Sequence, residues 1–159
     1  MIPLDELLGL VRAHVGAAKG DKARRARGAD LGKARRLAHN PLVWPPPVEF
    51  DLSRPEERLI VYGTLAPGGL YHHLLADLEA AWEPCTIRGR LGNYLGYPSF
   101  KWNPGGEAHP AWLVTSPGLP AKFRQLDEFE GIHYTRRLIP AEAGLRLVIA
   151  YIYEGKVRV

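Results

Sequence analysis

The run Leu145 to Tyr153 sets the tightest limit on what this chain can fold into. Leu147, Ile149, Tyr151 and Tyr153 alternate there with Val148, Ala150 and Ile152, so a strand is apolar on both faces. Such a strand needs cover on each side. That places it at the centre of a sheet or in a barrel wall, not on a solvated edge. Arg137 to Ala141 supplies a partner, with Glu142-Ala143-Gly144 as the hairpin turn between them.

Further strands are predicted at Leu59 to Tyr62, at Thr86 to Tyr94 and at Ala111 to Thr115. Gly89 and Gly92 interrupt the second of these, as befits a strand that bends. Lys101 to Pro110, with Asn103-Pro104-Gly105-Gly106 inside it, reads as a loop. Leu70 to Ala81 reads as a helix with Leu74, Leu75 and Leu78 inward. The whole is an α+β pattern without internal repeats.

A second helix is expected to start between Pro117 and Pro120. Leu119, Phe123 and Leu126 recur at i, i+4 and i+7, and Glu130 falls on the same face at i+11. Asp127 and Glu128 are turned from Leu126 by roughly 100° and 200°, towards solvent. Gly131 suits the helix end. Of three acids in four residues, periodicity selects Glu130 as the one facing inward. Burial and the adjacent helix C-terminus both favour its protonated form, raising its pKa from about 4.3 towards the range useful for proton transfer. Pairing with Arg136 or Arg137 is the purely structural alternative.

The strand Leu59 to Tyr62 stops at Gly63 and is followed by Thr64-Leu65-Ala66, then by Pro67-Gly68-Gly69. A buried strand ending in a small-residue turn leaves backbone N–H groups without ladder partners, and these can receive a carboxylate or an oxyanion. The order Val61-Tyr62-Gly63-Thr64-Leu65, Pro67-Gly68-Gly69, His72-His73-Leu74-Leu75 resembles the opening of the γ-glutamylcyclotransferase-like family. Gly96-Tyr97-Pro98 and Leu126-Asp127-Glu128-Phe129-Glu130-Gly131, with Tyr134 and Arg136 beyond, continue the resemblance. It runs from Arg58 to Val159.

The resemblance implies a small closed mixed β-barrel with flanking helices and a cavity for a small γ-glutamyl substrate. It also implies that Tyr62, Gly63, Thr64, Leu65 and Tyr134 bind that substrate and that Glu130 is the acid/base. The implied reaction is attack of the substrate's α-amine on its own γ-carbonyl, giving 5-oxoproline and a free amine, with no metal or organic cofactor. Tyr62 is otherwise a wall residue with its hydroxyl bonded. Arg136 is expected to orient Glu130 or to pair at the surface. One position departs from the family: Pro110-Ala111-Trp112 stands where a Gly-Glu or similar pair is usual, so Trp112 is expected to narrow the cavity. A catalytically silent binding module, using a basic arm for a partner, is the alternative reading.

Composition bounds the rest. At 159 residues the chain suits one domain, 58–159, with an N-terminal extension, 1–57. Leu4, Leu7, Leu8, Val11 and Val15 mark a helical face in the extension, Leu31 to Ala38 a second short helix, and Trp44-Pro45-Pro46-Pro47 a stiff spacer. Between Lys19 and Arg36 eight cations face only Asp21 and Asp30, a local charge of +6 within a net +4, so the remainder carries −2. No aromatic residue lies between Met1 and Asn40 to stack on bases, which argues against a nucleic-acid reader. No apolar run approaches the ~20 residues of a membrane span. The acidic start, Met1 to Glu6, is not that of a signal peptide. The single cysteine, Cys85, fits a reducing cytoplasm and has no motif of a nucleophile around it. His72 and His73, adjacent on a helix, point apart and make a poor metal site; His109 and His133 are expected in loops.

Overall fold

The structure, a computed structural model, describes residues 49–51, 53–103 and 106–157. The helical faces, basic run and proline spacer expected before Glu49 lie outside these residues. Among the described residues there are seven strands and one α-helix: β1 (Glu49–Asp51), β2 (Arg58–Val61), β3 (Ala81–Tyr94), β4 (Tyr97–Trp102), β5 (Glu107–Thr115), α1 (Leu119–Glu130), β6 (Tyr134–Ala143) and β7 (Arg146–Gly155).

Five of the strands close on themselves. β7 pairs with β2 in parallel, and antiparallel pairs then run β2–β5, β5–β3, β3–β6 and β6–β7. The seam is narrow: Thr86 opposite Glu142 is the register between β3 and β6, and Arg88 Nε donates to Glu142 at 3.1 Å beside it. This is a closed five-stranded mixed barrel, with β4 added alongside β3. Gly89 lets the long β3 turn the corner. A Cβ there would lie 2.2 Å from the Lys101 carbonyl oxygen and 2.7 Å from the Phe100 ring.

Towards its C-terminal end β7 splits its two faces between different clusters. Ala150 and Ile152 pack inside the barrel with Ile60, Ile87, Phe100 and Leu113. Tyr151 and Tyr153 face outward against α1, whose Leu119, Phe123 and Leu126 are buried with Leu59, Val61 and Val114. The helix thus covers the barrel wall with the face its periodicity marks, and truncating one of these leucines to alanine would cost about 2–5 kcal/mol.

Several local expectations are corrected. Leu70 to Ala81 is no α-helix. It holds a 3-10 turn at His72–Leu75, and Ala81 and Trp82 already pair with Thr115 and Val114 as the start of β3. Leu75 is buried and Leu74 and Leu78 lean on the same cluster, so the inward residues hold although the element differs. The flanking helices therefore reduce to one. The expected loop Lys101 to Pro110 is strand at both ends, since β4 runs to Trp102 and β5 begins at Glu107. His109 accordingly lies in β5, with Nε2 3.0 Å from the Gly89 carbonyl oxygen. β1 falls inside the segment assigned to the extension, yet it pairs with Arg146 to Val148. It shares one edge of β7 with β2, which pairs further along at Tyr151 and Ile152. Asp51 anchors it by accepting from Arg58 at 2.6 Å.

Candidate active site

Where β2 ends, the chain breaks away from the sheet at Tyr62 and folds into consecutive turns. The Ala66 amide donates to the Gly63 carbonyl (3.0 Å), Gly69 to Ala66 (2.7 Å) and Tyr71 to Thr64 (2.8 Å). Gly69 is required by close approach, because a Cβ would sit 2.4 Å from the Thr64 carbonyl oxygen. The turn's carbonyls are thereby used, while the amides of Gly63, Thr64 and Leu65 donate to no carbonyl among the described residues. All three residues line a cavity of about 270 Å³.

Across that cavity lies the end of α1. Glu130 is its last residue, and Gly131 ends the helix with φ 71°, a conformation suited to glycine. The Glu130 side chain lines the cavity and makes no hydrogen bond or ion pair among the described residues. Burial, and then the nearby charge of Asp127, push its pKa up to about 7.

Three tyrosines surround it, and each phenol hydrogen is committed elsewhere. Tyr62 donates to the Tyr153 carbonyl at 2.7 Å, Tyr134 to the Pro98 carbonyl at 3.0 Å and Tyr153 to Asp127 Oδ1 at 2.6 Å. Burial raises the pKa of all three, and the Glu130 charge adds to the effect. No phenol donates to the Glu130 carboxylate, in keeping with its raised pKa. It is left open to a proton donor brought by a ligand.

Every residue picked from the sequence as a site candidate, Tyr62, Gly63, Thr64, Leu65, Glu130 and Tyr134, lines this one cavity. One expectation is corrected and one open alternative is decided. Trp112 does not line it; the side chain packs with the outer cluster under α1 and leaves the cavity unobstructed. Arg136 does not reach Glu130 but donates from Nε to Asp127 at 3.0 Å and stacks over Phe123 and Tyr151. Asp127, turned outward by helical periodicity, is consequently tied to Arg136 and Tyr153. Tyr153 itself was missed, although its alternation with Ile152 places it on the face shared with α1. The hairpin tip at Tyr94, Leu95 and Tyr97, with Phe129 and His133, completes the lining.

A closed mixed barrel, with a helix ending on a half-buried carboxyl opposite backbone amides that donate to no carbonyl among the described residues, defines the class. The chain belongs to the AIG2-like gamma-glutamyl cyclotransferase family, whose model matches residues 59–158. Among solved structures, an AIG2-like protein from Mus musculus has a TM-score of 0.52 at 23% identity, over 65% of this chain and 79% of that one. YkqA from Bacillus subtilis has a TM-score of 0.53 at 27% identity, covering 64% of this chain and 36% of that one. No curated protein matches the chain. No helix among the described residues is long and apolar enough to cross a membrane.

Proposed function

We propose that this protein is a cyclotransferase that cleaves a small γ-glutamyl amide by intramolecular attack, releasing 5-oxoproline and a free amine. The observation that carries this reading is the pairing of one half-buried carboxyl, unpartnered among the described residues, with three backbone amides that donate to no carbonyl there, on the walls of a single cavity. The substrate already holds its nucleophile, so folding the glutamyl chain in the cavity supplies proximity. The Glu130 carboxylate takes a proton from the α-ammonium. The freed amine attacks the γ-carbonyl carbon, forming the ring C–N bond, and the amides of Gly63, Thr64 and Leu65 receive the oxyanion or the substrate carboxylate. The oxyanion collapses and the original amide C–N bond breaks; Glu130 returns its proton to the departing amine, then relays the second proton shed by the ring nitrogen, so the amine leaves as an ammonium. A carboxyl titrating at about 7 can do these transfers near neutral pH.

Tyr62 and Tyr134 shape the walls in this reading. Residues 58–159 form the catalytic unit, with 1–57 an extension that contributes β1. A reducing compartment fits the single Cys85, whose thiol is buried and pushed up to about 12. Incubation with γ-glutamyl amino acids, γ-glutamyl amines and glutathione, followed by assay for 5-oxoproline, tests the proposal. Release from at least one class is expected, and release from none would reject it.

A further inference from the structure

The turn that carries the site's amides is gripped by a side chain that does not line the cavity. In a trans peptide unit the N–H points away from the C=O, so whatever holds the carbonyl also aims the amide. The Ala66 amide holds the Gly63 carbonyl and so aims the Thr64 N–H. The Tyr71 amide holds the Thr64 carbonyl and so aims the Leu65 N–H. The peptide unit between Leu65 and Ala66 governs the first of these, because its N–H makes that bond. Its own carbonyl, that of Leu65, accepts from no backbone amide among the described residues. It lies 2.9 Å from Nδ1 of His72 instead.

A carbonyl oxygen can only accept, so Nδ1 carries the hydrogen and donates. The imidazole is placed for this from two directions. The backbone amide of His72 donates to the Gly69 carbonyl at 3.2 Å, inside the same turn. The ring packs with Trp82 of β3, with centroids 4.9 Å apart and planes at 59°. Trp82 is paired with Val114 of β5, so His72 ties the turn to the closed sheet. His73 has no such position: it is exposed, and its ring meets Tyr71 at 6.2 Å between centroids.

We propose that His72 is a positioning residue, whose Nδ1–H holds the peptide between Leu65 and Ala66 and, through it, the backbone amides that receive the substrate. Its effect on turnover rests on the cyclotransferase reading above; the brace itself does not. Without this donor the Leu65 carbonyl loses its partner and the peptide unit is free to rotate. The Ala66 amide then leaves the Gly63 carbonyl, and the Thr64 amide loses its aim. Such donors count only when already directed at the position where charge develops, and losing one costs about 10²–10³ in kcat.

The test uses the full-length protein with His72→Phe, His72→Asn and His73→Ala. Phenylalanine keeps a ring for Trp82 but has no donor. Asparagine loses the ring but carries a donor nitrogen bonded to Cγ, where histidine has Nδ1. In the wild type, long-range proton–nitrogen correlation spectra of the imidazole should place the His72 hydrogen on Nδ1, and a bare Nδ1 would overturn the brace without any variant. The Ala66 amide should exchange its hydrogen at least tenfold faster in His72→Phe than in the wild type or His72→Asn; equal rates in all three would overturn it. On the γ-glutamyl amide that the wild type converts, activity should follow the donor and not the ring. In His72→Phe kcat/KM should fall at least tenfold, while His72→Asn and His73→Ala should stay within about threefold of the wild type. A loss in kcat supports the brace with its amides on the oxyanion, and a loss in Kd supports it with them on the substrate carboxylate. Greater damage in His72→Asn than in His72→Phe would make His72 a packing residue against Trp82, and an equal loss in His73→Ala would show no specific role; either overturns the proposal. Absence of 5-oxoproline from every γ-glutamyl amide would reject the reaction and leave the imidazole spectrum and the Ala66 exchange to decide the brace.

Discussion

Replacing Glu130 with glutamine should stabilise the fold, by an amount that depends on pH. In the unfolded chain the carboxyl releases its proton near the ordinary 4.5, whereas in the cavity it holds it to about 7. Between those values the folded state binds more protons, so stability falls as pH rises from 4.5 through 7. The gap corresponds to about 3 kcal/mol once the group is ionised. Glutamine resembles the protonated acid in size and polarity and has no proton to lose. The variant should therefore match the wild type below pH 4.5, gain steadily through the window, and exceed it by about 3 kcal/mol above pH 7. Urea unfolding followed by tryptophan fluorescence at half-unit steps from pH 4 to 8.5 measures this directly. A stability difference that stays constant across that range would refute the claim that the half-buried Glu130 lacks a partner for its charge.

Other perturbations address the turn, the core and the extension. A Cβ at Gly63 would already meet Pro98 Cβ at 3.2 Å, so Gly63→Val should lower stability by about 1–3 kcal/mol and weaken binding of a γ-glutamyl ligand at least tenfold; normal binding by a folded variant would remove the turn from the site. Buried Glu154 accepts from the Trp102 amide and lies 3.5 Å from Arg137, so Glu154→Ala should cost about 3–5 kcal/mol by urea unfolding, and a loss under about 1 kcal/mol would show the pair to be dispensable. Deleting residues 1–40 should leave a single cooperative thermal transition, since the described sheet begins at Glu49; loss of that transition would make the deleted segment part of the core.

What could be read in the sequence was set by how local each constraint is. α1 was legible because one apolar stripe packs on one surface, so Leu119, Phe123, Leu126 and Glu130 keep helical spacing. The two apolar faces of β7 announced cover on both sides for the same reason. β4 and the first half of β5 were not legible. Pro98, Lys101, His109 and Pro110 give no strand pattern, and these segments are strands because β3 lies between them and pairs with both. Ala81, the last residue of an expected helix, is drawn into β3 by the same long-range pairing. The site divides along that line. The turn and Glu130 lie within two continuous segments and could be found there. Asp127's ties to Tyr153 and Arg136 needed the packing of α1 across β6 and β7, which periodicity on one helix does not reveal.

The most direct test of the account is turnover by Glu130→Gln on whichever γ-glutamyl amide the wild type converts, with binding of that amide measured beside it. Glutamine keeps the side chain's volume but cannot accept and return a proton. Turnover should fall by roughly 10²–10⁴ while Kd changes little. Glu128→Gln is the matched control, because Glu128 is exposed and pairs loosely with Arg124 at 3.8 Å, and it should cost little. Asp127→Asn is not a neutral control, since it would disturb Tyr153 and Arg136 as well. Near-normal turnover in Glu130→Gln, or an equal loss in Glu128→Gln, would contradict the assignment of Glu130 as the group that moves the proton.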